Sequence, residues 1–230
     1  MRLPNTSVLS LSTLAALLLT TGCSTGSNTP AEPSPSGSDN RASAPLSSAA
    51  LAKRLLDESD LGAGYHRKPQ HPATQDDVTV IGCPALAQLG NSAATGNSLS
   101  FPRHAKASFT YADASDSEVS EVSEVSEELY SDTATRLSTG VTEIFDAMTS
   151  CPSYQLVSGS GVIDMSTQQT TTPDLGDEQW SQLLIYSTGG QRSVVKQTAI
   201  RTGTILVILS GSPTLVDAHL ADAVRTALAR

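Results

Sequence analysis

Residues 205–209 read Ile-Leu-Val-Ile-Leu, five aliphatic side chains in a row between Gly203 and Gly211. A strand turns successive side chains to opposite faces, so this run is apolar on both and belongs inside a sheet rather than at its edge. Strand-like stretches lead up to it at 154–158, 161–171, 179–188 and 192–202, and Gly189-Gly190 supplies a hairpin turn between the third and the fourth. Upstream, Ala105, Ala107, Phe109 and Tyr111 alternate with Lys106, Ser108 and Thr110, the pattern of a half-buried strand. Consecutive strands joined by short turns pair antiparallel.

Helical periodicity marks four further segments. Leu51, Ala52, Leu55 and Leu56 line one face of a helix over 47–59, capped by Ser47 or Ser48 and ended by Gly62 and Gly64. Pro84 opens a short helix that Gly90 ends. Leu137, Val141, Ile144, Phe145 and Met148 form a stripe over 132–150, with Asp132 as the cap. Ser212 and Pro213 open a last helix through Ala229, with Val216, Leu220, Val224 and Leu228 inward. The expected class is α+β: a single domain with an antiparallel sheet of about five to seven strands, helices packed on it, and one disulfide.

Residues 117–128 repeat Ser-Glu-Val three times and then read Ser-Glu-Glu. A period of three fits neither helix nor strand, because in a helix each Glu neighbours another at i+3. The stretch reads as a solvated hairpin arm in which 124–130 re-enters the sheet, with a helix as the alternative. Asp113, Asp116 and Glu118 lack the spacing and the glycine of a calcium loop and read as charged surface.

The N-terminus bears on location. Arg2 precedes an uncharged apolar run from Val8 to Leu19, too short for a bilayer span. The ending Leu19-Thr20-Thr21-Gly22-Cys23 resembles a bacterial lipobox, with Thr20 where Leu is usual. The expected order is a lipoprotein signal peptide over 1–22, a lipidated Cys23 with a Ser/Pro/Gly tether over 23–46, and a folded domain over 47–230. Residues 24–46 hold hardly an apolar side chain and cannot offset the entropy of ordering. Cleavage before Cys23 removes Arg2, the only charge in the leader, and takes the net charge from −9 to −10. Such an acidic body is held off anionic lipid and is a poor partner for nucleic acid. The expected location is the outer face of the cell membrane, lipid-anchored, with the membrane as one partner and an unknown small ligand or envelope component as another.

Cys83 and Cys151 are the other two cysteines. In an exported chain an even pair is most simply a disulfide, whereas a redox or metal role lacks a CxxC spacing and nearby histidines.

Catalytic signals are weak. Ser193-Val194-Val195-Lys196 matches SxxK, and Arg201-Thr202-Gly203 resembles KTG. That serine would have to open a helix, yet here it follows a Gly-Gly turn in an alternating strand. No GxSxG, HExxH or phosphate loop occurs. His66 and His71 read as an exposed loop, and His219 as a boundary residue of the last helix. The loop 173–180 places Asp174, Asp177 and Glu178 beside Trp180, the only tryptophan. Of these, Asp177, Glu178 and Trp180 are the candidate ligand-binding residues. No catalytic residue, cofactor or metal is expected.

Several short motifs together resemble one family. They are Leu55-Leu56, Asp60-Leu61-Gly62-Ala63-Gly64-Tyr65, Cys83-Pro84-Ala85-Leu86, Ala107-Ser108-Phe109, Cys151-Pro152-Ser153-Tyr154 and Leu175-Gly176-Asp177-Glu178. The chain is similar over about residues 46–229 to the actinobacterial PknH-like extracellular sensor domain. That domain occurs on membrane-anchored kinases and as free-standing lipoproteins. The resemblance implies an antiparallel sheet with packed helices, a cleft for an unknown ligand, and no catalytic residues. Members usually carry two disulfides, whereas this chain can make one. The expected function is therefore a non-catalytic binding domain on a lipid anchor. The alternatives are a cell-envelope hydrolase or esterase, and a purely structural envelope lipoprotein.

Overall fold

A computed structural model describes residues 44–70, 78–90, 99, 101–111, 123–159 and 161–229. The leader, Cys23 and nearly all of the tether lie outside the described residues, as do His71, Asp113, Asp116 and residues 117–122 of the repeat.

Among the described residues nine antiparallel strands form one sheet, in the order β1-β3-β4-β9-β8-β7-β6-β5-β2. In chain order the elements are α1 (Ser48–Ala52), α2 (Glu58–Leu61), β1 (Tyr65–Arg67), β2 (Val78–Ile81), α3 (Pro84–Leu89), β3 (His104–Tyr111), β4 (Glu124–Ser131), α4 (Ala134–Ser150), β5 (Ser153–Ser158), β6 (Gly161–Gln169), β7 (Glu178–Thr188), β8 (Gln191–Thr202), β9 (Ile205–Gly211) and α5 (Pro213–Leu228). The aliphatic run is β9, an interior strand: it pairs with β4 on one side and β8 on the other. Val207 and Leu209 face one side, Leu206 and Ile208 the other, and all four are buried.

The expected count of five to seven strands was too low. The two additional strands, β1 and β2, are the sheet's opposite edges. They are three and four residues long, and an edge strand with one exposed face carries little apolar signal. His66, expected in a loop, lies in β1 opposite Thr110.

The first helix was also misjudged, since 47–59 is broken into α1 and α2. Asp57 caps α2 through a capping box with Asp60, which starts a new helix where the old one was expected to run on. At the break the Leu56 N–H leaves the helical ladder and donates to the Glu127 carboxylate at 2.6 Å. The cap of α4 is Thr133 rather than Asp132. Asp132 instead accepts the Thr133 N–H and pairs with Arg136 at 3.0 Å, one turn on. Glu124–Ser131 is a strand, so the helical alternative fails over that part of the repeat.

Helices cover the two faces in a staggered way. On one face α1, α2 and α5 bury Leu51, Leu55, Leu56, Leu61, Val216, Leu220 and Val224 against Phe109, Val125, Leu129, Val207 and Leu209. On the other face α4 lays Leu137, Val141 and Phe145 on Tyr130, Leu206 and Ile208. Met148 and Ala147 of α4, with Leu86 of α3, pack on Tyr154, Leu156, Met165 and Leu184. The Cys83–Cys151 disulfide joins the start of α3 to the end of α4.

Candidate functional site

Asp177 and Glu178 come together with a residue that the sequence did not single out for them. Glu178 opens β7 directly opposite Arg201 of β8. Arg201 Nε donates to Glu178 Oε2 at 2.7 Å, and Nη1 donates to Asp177 Oδ2 and to the Gly203 carbonyl, each at 3.1 Å. Ser138 of α4 donates to Glu178 Oε1 at 3.1 Å. The Gly203 N–H donates to Asp177 Oδ2 at 2.8 Å, and the Asp177 N–H donates to the Arg201 carbonyl at 2.8 Å. Arg201 keeps 10% of its side chain exposed against 53% for Asp177. The guanidinium beside Glu178 holds its carboxyl below the usual carboxylate range, and the carboxylates raise the arginine in turn.

Gly176 fits this corner because a Cβ there would meet the Arg201 carbonyl oxygen at 2.6 Å and Ile200 Cγ2 at 2.7 Å. Trp180 points to the α4 face, half-buried against the cluster around Leu137 and Val141, with its ring 6.4 Å from that of Phe145. Among the described residues, then, the three candidate ligand-binding residues share one corner. There Glu178 is bonded through both oxygens to Arg201 and Ser138, and Asp177 stays half-exposed.

His219 donates to or accepts from Tyr65 Oη at 2.7 Å, and the two rings meet edge-on at 5.1 Å. Burial lowers its basicity. Ser193 and Lys196 lie in β8, where Lys196 pairs with Asp217 of α5 at 2.5 Å. Among the described residues no group of three or more histidine, cysteine, aspartate or glutamate side chains is placed to hold a metal.

The sheet itself offers a second surface. Pairing Leu183 with Lys196 and Ile185 with Val194 puts all four on the α5 face, beyond the part of that face which α5 covers. Val157 and Val162 pair on the same face further along, with Ile81 beyond them on β2. None of these six aliphatic residues belongs to the buried core clusters among the described residues. Val162 and Ile81 are 47% and 50% exposed. Sequence reasoning missed this surface, although Leu183-Leu184-Ile185 and Val194-Val195 carried the signal. Adjacent apolar residues in a strand must face both ways, and one helix layer cannot cover both.

No family model matches the chain, and no curated protein matches it. Among solved structures, the extracellular domain of PknH from Mycobacterium tuberculosis superposes with a TM-score of 0.55 at 13% identity, over 80% of this chain and 97% of that one. An uncharacterized protein of Mycobacterium smegmatis aligns over 78% of this chain and 97% of its own, also at 13% identity, with a TM-score of 0.41. The nine-stranded sheet with its staggered helices is thus a fold shared with the PknH extracellular domain.

Proposed function

We propose that this chain is a non-catalytic, sensor-like binding module held on the outer face of a cell membrane by a lipid on Cys23. In this reading 1–22 is removed, 23–46 is the tether and 47–230 is the working domain. The observation that carries the binding role is the uncovered aliphatic area beside α5, where Leu183, Ile185 and Val194 stay partly exposed over a sheet otherwise packed with helices. A ligand or envelope partner with an apolar face fits there, and Lys196 with its Asp217 partner marks the boundary with α5. The shared fold with an extracellular domain supports the location, and the leader 1–23 supports the anchor. The Asp177–Glu178–Trp180 corner is a second contact surface, favoured by the half-exposed Asp177 carboxylate beside Trp180.

The test uses the full chain and the apolar fluorophore phenylnaphthylamine. Binding that is lost in Ile185→Asp and Val194→Asp, with melting temperatures unchanged, supports the sheet face. Binding retained in both overturns it. For the anchor, Cys23→Ser is expected to move the protein from the membrane to the soluble fraction. A variant that stays membrane-bound refutes lipidation at that position.

A further inference from the structure

Glu127 and Glu128 are neighbours in β4, and the pleat sends them to opposite faces. Glu128 meets a cation, Lys106 Nζ at 2.6 Å, and accepts a hydrogen bond from the Tyr130 hydroxyl. Glu127 meets none. It is 1% exposed, between Val125 and Leu129 on the strand, in the cluster that α1, α2 and α5 build with β3 and β9. One oxygen accepts the Leu56 N–H. The other, Oε1, is buried with no hydrogen-bond partner among the described residues.

The charged and titratable groups around it are few. From α2 comes Asp60 and from β1 comes Arg67, and the buried Tyr65 of the same cluster is bonded to His219 of α5. The Arg67 guanidinium lies over the Phe109 ring at 5.8 Å and makes no ion pair with Glu127. The side chains that β3 and β9 turn toward this cluster are apolar, among them Ala107, Phe109, Val207 and Leu209. A carboxylate in such surroundings is strongly disfavoured against the neutral acid.

The segment Glu127 holds is residues 44–62, which crosses the sheet as a strap. Four leucines, 51, 55, 56 and 61, fix it to the core. Its other ties are the Leu46 N–H to Ser131 Oγ at 2.8 Å, the Arg54 guanidinium to the Ala227 carbonyl at 2.9 Å, the His104 N–H to Ser48 Oγ at 3.1 Å, and the Arg67 N–H to Glu58 Oε1 at 2.7 Å. The first three join backbone groups to hydroxyls or an arginine, so none of them gains or loses a charge between pH 4 and pH 9. The fourth rests on an exposed carboxylate at the strap's far end, whereas Glu127 is buried at its middle. The bond from Leu56 falls at the break between α1 and α2, where the strap's backbone leaves helical bonding and turns to a buried carboxyl.

We propose that Glu127 is a protonation latch: the strap is locked while the buried acid keeps its proton and loosens as the acid ionises. Burial drives the Glu127 carboxyl up to about 8 from the ordinary 4.5, and Asp60 adds to the shift. Lifting the strap returns the group to water and to its ordinary range. The closed state therefore holds a proton that the open state gives up. Between about pH 4.5 and about pH 8 the open population rises about tenfold per pH unit. Outside that window it is flat. Opening withdraws the four leucines and bares the apolar face of β3 and the adjoining part of β4, so acid keeps that face shut.

The test is amide hydrogen exchange on the full chain at pH 5, 6, 7 and 8, corrected for the intrinsic pH dependence of exchange. Strap amides such as Leu51 and Leu61 are followed beside β9 amides, which report global unfolding. The expected result is an opening constant for the strap that rises about tenfold per pH unit in the wild type and stays flat in Glu127→Gln, while β9 remains the slower exchanger. A flat wild-type profile, or an unchanged slope in Glu127→Gln, overturns the latch. If Glu127→Gln does not fold, the carboxyl carbon of wild-type Glu127 is titrated by NMR in the folded protein. A midpoint near 8 supports the latch, and one near 4.5 overturns it.

Discussion

Arg201 Nε sits 2.7 Å from Glu178 Oε2, on directly opposed residues of β8 and β7. The same guanidinium reaches back to Asp177 and to the turn carbonyl of Gly203. One side chain therefore ties the loop before β7, the first pair of the β7–β8 ladder and the β8–β9 turn. Through Ser138 on Glu178, the tie extends to α4. Removing Arg201 strands two carboxylates at the end of two interior strands, whereas removing Asp177 frees only a half-exposed group. Arg201→Met is expected to cost about 2–3 kcal/mol and Asp177→Ala about 1 kcal/mol. Chemical denaturation of the two variants checks the order, and an Asp177 loss equal to the Arg201 loss contradicts it.

The backbone beneath that clamp leaves no room for a methyl group. A Cβ on Gly176 would lie 2.6 Å from a carbonyl oxygen of β8, which is pinned in its ladder and cannot yield. Gly176→Ala is expected to destabilise by about 1–3 kcal/mol. The same change at Gly190, where a Cβ meets nothing within 4 Å but φ is +84°, costs only the strain of the left-handed turn, about 1 kcal/mol. Thermal melts of both variants compare the two origins.

Cys83 and Cys151 close a loop with a sequence separation of 68. In the chain-entropy picture, losing the bridge frees the unfolded chain by about 4 kcal/mol. The double variant Cys83→Ala/Cys151→Ala is expected to lose about that much, and adding reductant to the wild type is expected to reproduce the loss. A variant that unfolds at the wild-type denaturant midpoint would show that the cross-link adds nothing to stability.

Two glutamates give stability opposite dependences on pH. Glu178 is held below its ordinary range, so its contribution is present above about pH 4.5 and is lost as acid drives pH down through its folded value. Glu127 is held above its range, so its contribution is complete below about 4.5 and is lost as pH rises toward about 8. Glu127→Gln is thus expected to leave stability near pH 4.5 little changed and to raise it at pH 8 by on the order of a few kcal/mol. Urea unfolding of wild type and variant across this range measures the difference, and equal curves at pH 8 contradict it.

Much of the frame was legible in the residues. The two-faced aliphatic run named an interior strand, Gly189-Gly190 named the hairpin, and the stripe from Leu137 to Met148 named α4. In each case the signal was periodic and locally complete. The misses share a different character. β1 and β2 are too short for periodicity to accumulate, and they exist because β3 and β5 offer them a partner. The break at Leu56 depends on a carboxylate 71 residues away. Arg201 read as part of a motif-like triplet, and only cross-strand register brings it onto Glu178. Nothing in the Ser-Glu-Val repeat separates Glu127, buried without a cation, from Glu124, which reaches Lys68 at 2.7 Å on the surface.

The position of β9 also governs when the molecule can be finished. β1, β3 and β4 form one ribbon, and β8, β7, β6, β5 and β2 another, and only β9 is hydrogen-bonded to both. A nascent polypeptide that has reached residue 200 but not 211 has two incomplete ribbons with bare edges and no seam between them. Until β9 is made, no strand-to-strand hydrogen bond can join the two ribbons, so the sheet closes with nearly the last strand of the sequence.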